Sequence, residues 1–127
     1  MKKRIMVVDD DLITIKMCEF ILSQNDYEVV SVPSGVYCLD YLRNSANPPV
    51  DLILLDIEMP LLNGYNTLSS IRQGEATKNI PVMFLTASAT QETVREAIRL
   101  GVNSYLKKPF LPQELLAKVQ AMLSPEG

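Results

Sequence analysis

Leu52-Ile53-Leu54-Leu55-Asp56-Ile57-Glu58-Met59-Pro60-Leu61-Leu62-Asn63-Gly64 decides the fold. Four consecutive apolar residues are the pattern of a strand buried on both faces, as in a parallel sheet between helices. The run ends on a carboxylate and a loop punctuated by Pro and Gly. Open α/β sheets hold their ligands there, outside the carboxyl ends of the strands. Asp56 is therefore the leading candidate for chemistry. A second acidic cluster, Asp9-Asp10-Asp11, ends another apolar run, Ile5-Met6-Val7-Val8. Two strand ends of this kind can meet at one site.

Outward from Asp56, apolar runs alternate with helical periodicity. The runs predict strands over 4–8, 27–32, 50–55, 81–86 and 103–107. The first helix is expected over 11–24, with Met17, Cys18, Ile21 and Leu22 at helical spacing. The second is expected over 35–45, turning Val36, Leu39 and Leu42 inward, and the third over 65–73 with Leu68 and Ile71. A fourth over 90–100 carries Val94, Ala97 and Ile98, and Gly101 can supply its left-handed cap. A fifth starts near Pro112, a favoured first helical position, and buries Leu115, Leu116, Val119 and Met122. Regular strand–helix alternation implies a parallel sheet covered on both faces, and right-handed crossovers leave few topologies. The expected fold is α/β: a doubly wound, flavodoxin-like, five-stranded parallel sheet of order 2-1-3-4-5 with helices on both faces.

The 127 residues predict one domain over 1–127, with no linker, repeat or output domain visible. Net charge is −3, and the only basic run is Lys2-Lys3-Arg4, which argues against direct nucleic-acid binding. Ile5 to Val8 is too short for a secretion signal, and no run is long enough to span a membrane, so a cytoplasmic location without membrane association is expected. Cys18 and Cys38 fit no metal or redox spacing and are read as buried thiols. The chain has no histidine. That removes the commonest general base and metal ligand, and leaves oxygen ligands for any metal.

In the order 2-1-3-4-5, strands one and three are neighbours at the switch point, so Asp9, Asp10 and Asp56 lie a few Å apart. Carboxylates that close need a cation or a proton between them. Mg²⁺ suits the site, because it favours one or two carboxylates, waters and a phosphate. Each residue also has a plainer reading. Asp9, Asp10 or Asp11 could simply cap a helix. Asp56 could cap or hold a structural ion, Lys108 could be a solvated lysine, and Thr86 could bond its own backbone.

Taken together, these segments resemble the receiver domains of two-component response regulators, of the chemotaxis-regulator type. Val7-Val8-Asp9-Asp10-Asp11 resembles the family's acidic segment, and Leu55 to Pro60 with Asn63-Gly64 its phosphoacceptor loop. Phe84-Leu85-Thr86-Ala87 resembles the switch-threonine strand, and Tyr105 to Phe110 the aromatic-to-lysine segment. The resemblance spans essentially the whole chain. It implies that Asp56 accepts a phosphoryl group from a histidine kinase or histidine phosphotransfer protein. Asp10 would bind Mg²⁺ directly, Asp9 through water, and Glu58 through its backbone carbonyl. Lys108 would pair with Asp56 and then with a phosphoryl oxygen, across a cis Lys108–Pro109 bond. Lys107 is assigned to the surface. Thr86 would donate to the phosphoryl group and Tyr105 would turn inward behind it, changing the surface of helix four, strand five and helix five. Glu58 and Ser88, each two residues beyond a site residue, would set the lifetime of the acyl phosphate. An unnamed output partner or fused effector domain is implied. Two features depart from the family pattern. Asn103-Ser104 stands where dimer-forming members carry acidic residues, and Leu111, read as packed, stands where a polar cap is usual.

Three readings compete. A haloacid-dehalogenase-like phosphohydrolase also uses a strand-end aspartate, but needs Asp-x-Asp after the first strand, whereas Asp56-Ile57-Glu58 follows the third. A flavin mononucleotide module would set its phosphate against the aspartates after strand one. A receiver-like interaction module that is never phosphorylated would have no use for the full set of Asp9, Asp10, Asp56, Thr86 and Lys108.

Overall fold

The computed structural model describes residues 2–59, 62–102 and 104–123. Strands and helices alternate: β1 Arg4–Val8, α1 Leu12–Ser23, β2 Glu28–Val32, α2 Gly35–Arg43, β3 Leu52–Asp56, α3 Gly64–Gln73, β4 Val82–Thr86, α4 Gln91–Arg99, β5 Tyr105–Lys107 and α5 Pro112–Leu123. The five strands are parallel in the order β2-β1-β3-β4-β5, as the alternation and crossover rules predict. The expectation of a fifth strand beginning at 103 falls on Asn103, outside the described residues; β5 begins at Tyr105. Among the described residues, no helix is long and apolar enough to cross a membrane.

Side chains alternate across the sheet and build two apolar layers. Met6, Val8, Ile53, Leu55 and Phe84 pack under α2, α3 and α4 with Cys38, Leu68, Ile71 and Ala97. Ile5, Val7, Leu52, Leu54, Met83 and Leu85 pack under α1 and α5 with Cys18, Leu22, Leu115 and Val119. The run Leu52–Leu55 is completely buried. Burial of each such side chain stabilises the fold by ~1.5–3 kcal/mol, which locks β3, and Asp56 at its end, into the centre of the sheet. Both cysteines are free and buried, and burial pushes their thiols up to about 12, so they remain protonated packing groups.

Three inward assignments are corrected. Val36 is half exposed, because α2 buries Gly35, Cys38 and Leu39 and half-buries Leu42, one stripe at positions i, i+3, i+4 and i+7. The inward place at the start of that stripe belongs to a glycine: a Cβ on Gly35 would lie 2.1 Å from Thr67 Oγ1 on α3. Ile98 is 61% exposed, since α4 turns Ala97 to the core and keeps Val94 and Leu100 at its margin. Leu111 is also exposed rather than packed. Its carbonyl accepts the first α5 hydrogen bonds and its N–H donates to Glu114 Oε1 at 2.8 Å. It therefore holds the cap position through its backbone, with the side chain pointing out of the helix.

Candidate functional site: an acidic pocket at the carboxyl edge of the sheet

Strand register assembles the pocket. Val8 pairs with Leu55, so the next residues, Asp9 and Asp56, emerge side by side. Asp56 pairs with Leu85 and Thr86 with Lys107, which sets Thr86 and Lys108 across from the two carboxylates. The Lys108 N–H donates to the Thr86 carbonyl at 2.8 Å, and Lys108–Pro109 is cis. Lys107 is exposed.

Asp9 is completely buried and Asp56 nearly so, while Asp10 is exposed. One ligand oxygen from each of the three lies within 4.8 Å of the others. Lys108 Nζ stands 2.6 Å from Asp9 Oδ2 and 3.5 Å from Asp56 Oδ2. The lysine thus pairs more closely with Asp9 than with Asp56. Asp11 takes the capping role: its carboxylate accepts from Ile13 N and Thr14 Oγ1, and the Thr14 bond holds its pKa below the usual range. The plain capping reading therefore belongs to Asp11, and Asp9 turns into the pocket.

Burial first, then the charge of Asp9, pushes the Asp56 carboxyl up to about 7; Lys108 and the Glu58 N–H only partly oppose this. Burial pulls the Lys108 ammonium down, but the hydrogen bond and charge of Asp9, with those of Asp56, outweigh it and hold the group above its ordinary value. Three carboxylates thus converge on the Lys108 ammonium, which among the described residues is the partner of the buried Asp9 Oδ2. Hard oxygen donors and surplus negative charge fit a hard divalent cation such as Mg²⁺.

Beyond β4, Thr86 Oγ1 lies 2.9 Å from Glu58 Oε2, and Ala87 N–H donates to Glu58 Oε1 at 2.7 Å. The Ser88 N–H donates to Thr86 Oγ1 at 3.0 Å. The Ser88 carbonyl lies 3.0 Å from Thr86 Oγ1 and also accepts from Thr93 Oγ1, part of the α4 capping box. The local hydrogen bonding considered for Thr86 is therefore present, together with a contact to Glu58 that the sequence did not suggest. Ser88 itself is exposed. Tyr105 is half-buried, with Lys118 Nζ 5.4 Å from its ring centroid. Ile57, Phe84, Val94 and Ala97 line a small gap between Tyr105 and Thr86.

Gly64 permits this arrangement. A Cβ there would stand 2.6 Å from the Asp56 carbonyl oxygen and 2.7 Å from Ile57 Cα. Both contacts are backbone, so neither can swing away. Gly64→Ala should cost about 1.5 kcal/mol in a denaturant melt, because the loop after β3 must shift. An unchanged midpoint would show that the loop accommodates the methyl group freely.

A doubly wound sheet thus gathers three carboxylates and a lysine at its carboxyl edge. The response regulator receiver domain family model matches residues 5–120, and the chain belongs to that family of signalling switches, whose acidic pocket binds Mg²⁺. The response regulator SaeR of Staphylococcus aureus is 30% identical over 120 residues, covering 94% of this chain and 50% of SaeR. The chain therefore spans about half the length of the curated relatives it matches. Chemotaxis protein CheY4 of Vibrio cholerae superposes with a TM-score of 0.90 at 27% identity, covering 97% of this chain and all of CheY4. The Mn²⁺-bound form of response regulator Rcp1 superposes with a TM-score of 0.80 at 29% identity, over 98% of this chain and 94% of Rcp1.

Proposed function

We propose that this chain is a phosphoacceptor receiver of His-to-Asp signalling, with Asp56 as the residue modified. The observation that carries this reading is the placement of the Asp56 carboxylate between the Asp9/Asp10 carboxylates and the Lys108 ammonium. Asp56 attacks phosphorus. An O–P bond forms as the donor's P–N bond breaks, and the departing imidazole takes up a proton. With no histidine among these 127 residues, the phosphohistidine lies outside them, on a histidine kinase or a phosphotransfer protein. Asp9, Asp10, Asp56 and the Glu58 carbonyl would hold Mg²⁺, which when bound offsets the charge gathered on the phosphoryl oxygens. The Mn²⁺ held by Rcp1 supports a divalent cation here. Lys108 releases Asp56 and pairs with a phosphoryl oxygen, and Thr86 donates to another.

Phosphorylation adds nearly two negative charges. It draws the Thr86 hydroxyl toward the phosphate and Tyr105 into the gap behind it. The switch is a shift between two states of α4, β5 and α5. Residues 1–127 act as one receiver unit whose output passes through a partner or a fused effector, without direct contact to nucleic acid or membrane.

The test is incubation with a phosphodonor, with and without Mg²⁺, read by intact mass, site mapping and amide exchange. Stable, Mg²⁺-dependent labelling of Asp56, lost in Asp56→Asn, with altered exchange in α4–β5–α5, is expected. Turnover of many phosphoesters would point instead to a haloacid-dehalogenase-like hydrolase, and no labelling to a receiver-like interaction module.

A further inference from the structure

A cleft opens at the amino edge of the sheet, the edge opposite the acidic pocket. Helices that join parallel strands run back against them, so α2 and α3 both end there. The cleft lies between those two helix ends and the loops that follow them. It comprises cavities of about 510 and 220 Å³ that share Leu42, Ser45, Ala76 and Thr77. Sites for small molecules occupy about 300–1,000 Å³. Leu39 and Leu42 line the larger cavity, and Val50 and Ile80 the smaller.

Hydrogen bonds hold both walls. On the α2 side, Tyr41 Oη donates to the Pro48 carbonyl and Asn47 Nδ2 to the Tyr41 carbonyl, both at 3.0 Å. On the α3 side, Arg72 donates to the Lys78 and Ile80 carbonyls at 3.0 and 2.7 Å, and Thr77 Oγ1 donates to the Ile71 carbonyl at 2.6 Å. The Gly74 carbonyl accepts from the Thr77 and Lys78 N–H groups. These contacts engage carbonyls that the helix ends would otherwise offer to a ligand. The one carboxylate in the lining, Glu75, is paired with Lys78 Nζ at 3.1 Å. The donors are free. Among the described residues, the side chains of Arg43, Ser45, Ser70 and Gln73 line the cleft without a hydrogen-bond or ion-pair partner in the protein.

We infer that this cleft binds a small amphiphilic carboxylic acid, with its apolar body on Leu39 and Leu42 and its carboxylate at Arg43. The sign of the charge follows from the excess of donors. A carboxylate only accepts, and it matches a guanidinium through two parallel bonds. A cationic ligand would face Arg43 and find the carbonyls already engaged. A bare inorganic anion would leave the apolar lining uncovered. The site is separate from Asp56 and stands independently of phosphorylation there.

The test titrates the full chain with 1-naphthoate, an apolar ring system bearing one carboxylate, and follows backbone amide shifts by NMR. The uncharged 1-naphthalenemethanol is run beside it. Naphthoate shifts should gather on 39–45 and 70–77 and leave the loop after β3 unmoved. Arg43→Gln, at an exposed position, should weaken naphthoate about fivefold and leave naphthalenemethanol unchanged. Ala76→Phe, also at an exposed position, should fill the junction of the two cavities and abolish binding of both probes. Any of four results would overturn the inference: no saturable shift below about 5 mM naphthoate, shifts gathered elsewhere, equal weakening of both probes in Arg43→Gln, or unchanged binding in Ala76→Phe.

Discussion

Lys108→Met should destabilise the metal-free protein by about 3 kcal/mol at pH 8, and by much less near pH 4. Lys108 Nζ is the cation that reaches both buried carboxylates, at 2.6 Å from Asp9 and 3.5 Å from Asp56. Methionine keeps the stem and removes the charge. Asp9 and Asp56 then repel each other in a site that water barely reaches, and Asp56, already pushed up to about 7, is driven further up. The sign follows from proton counting. Above the unfolded carboxylate value, the unfolded chain releases a proton that the folded pocket retains. Stability therefore falls as pH rises through that window. Below it both states are protonated and the deficit shrinks. Mg²⁺ should stabilise the variant more than the wild type, because the cation replaces the missing ammonium without competing with it. Thermal melts over pH 4–8 decide this. A deficit constant with pH would mean that the lysine acts only through packing.

The fold was legible because its signals are local. Each strand is a short apolar run, and the run Leu52–Leu55 could only be buried on both faces. Helix interiors were harder to orient. The periodicity of α2 allowed Val36 to face inward, and only the close approach to Thr67 shows that Gly35 holds that place. Hydrophobicity likewise put Ile98 inside. The core under α4 instead takes the small Ala97, a decision made by the distance between helix and sheet, which no window of sequence contains. Leu111 was read from its side chain, whereas its backbone is what the helix uses.

The site divides in the same way. That Asp9, Asp10, Asp56, Thr86 and Lys108 would meet follows from residues at strand ends together with the strand order. Which carboxylate the lysine prefers depends on a difference of about an ångström between two distances, and register does not resolve it. The Glu58 contact lay further out of reach. Two residues after Asp56 it borders the pocket in any event, but the direction of its side chain is fixed by the path of the loop after β3. The pattern marked the position, and only the fold disclosed that its carboxylate meets the Thr86 hydroxyl and the Ala87 N–H.

Asp56→Asn should stabilise the metal-free protein by about 2 kcal/mol at pH 8, although it removes the residue on which the proposed function depends. Burial and the neighbouring Asp9 raise the Asp56 carboxyl to about 7, against an ordinary value of 3.8. A group raised in the folded state contributes fully below its unfolded value and loses that contribution as pH climbs to the folded one. Wild type should therefore lose stability between about pH 4 and 7 and level off above. Asparagine has no such loss. Its Oδ1 can still accept from the Glu58 N–H, and Lys108 keeps Asp9 as its nearer partner. The two stability curves should diverge from pH 4 upward and run parallel beyond pH 7. Mg²⁺ should reverse the order, because the metal stabilises the charged wild-type pocket and finds one carboxylate fewer in the variant. A variant less stable than wild type at pH 8 without metal would mean that the carboxylate is held by contacts stronger than its repulsion from Asp9. The strain would then lie elsewhere in the pocket.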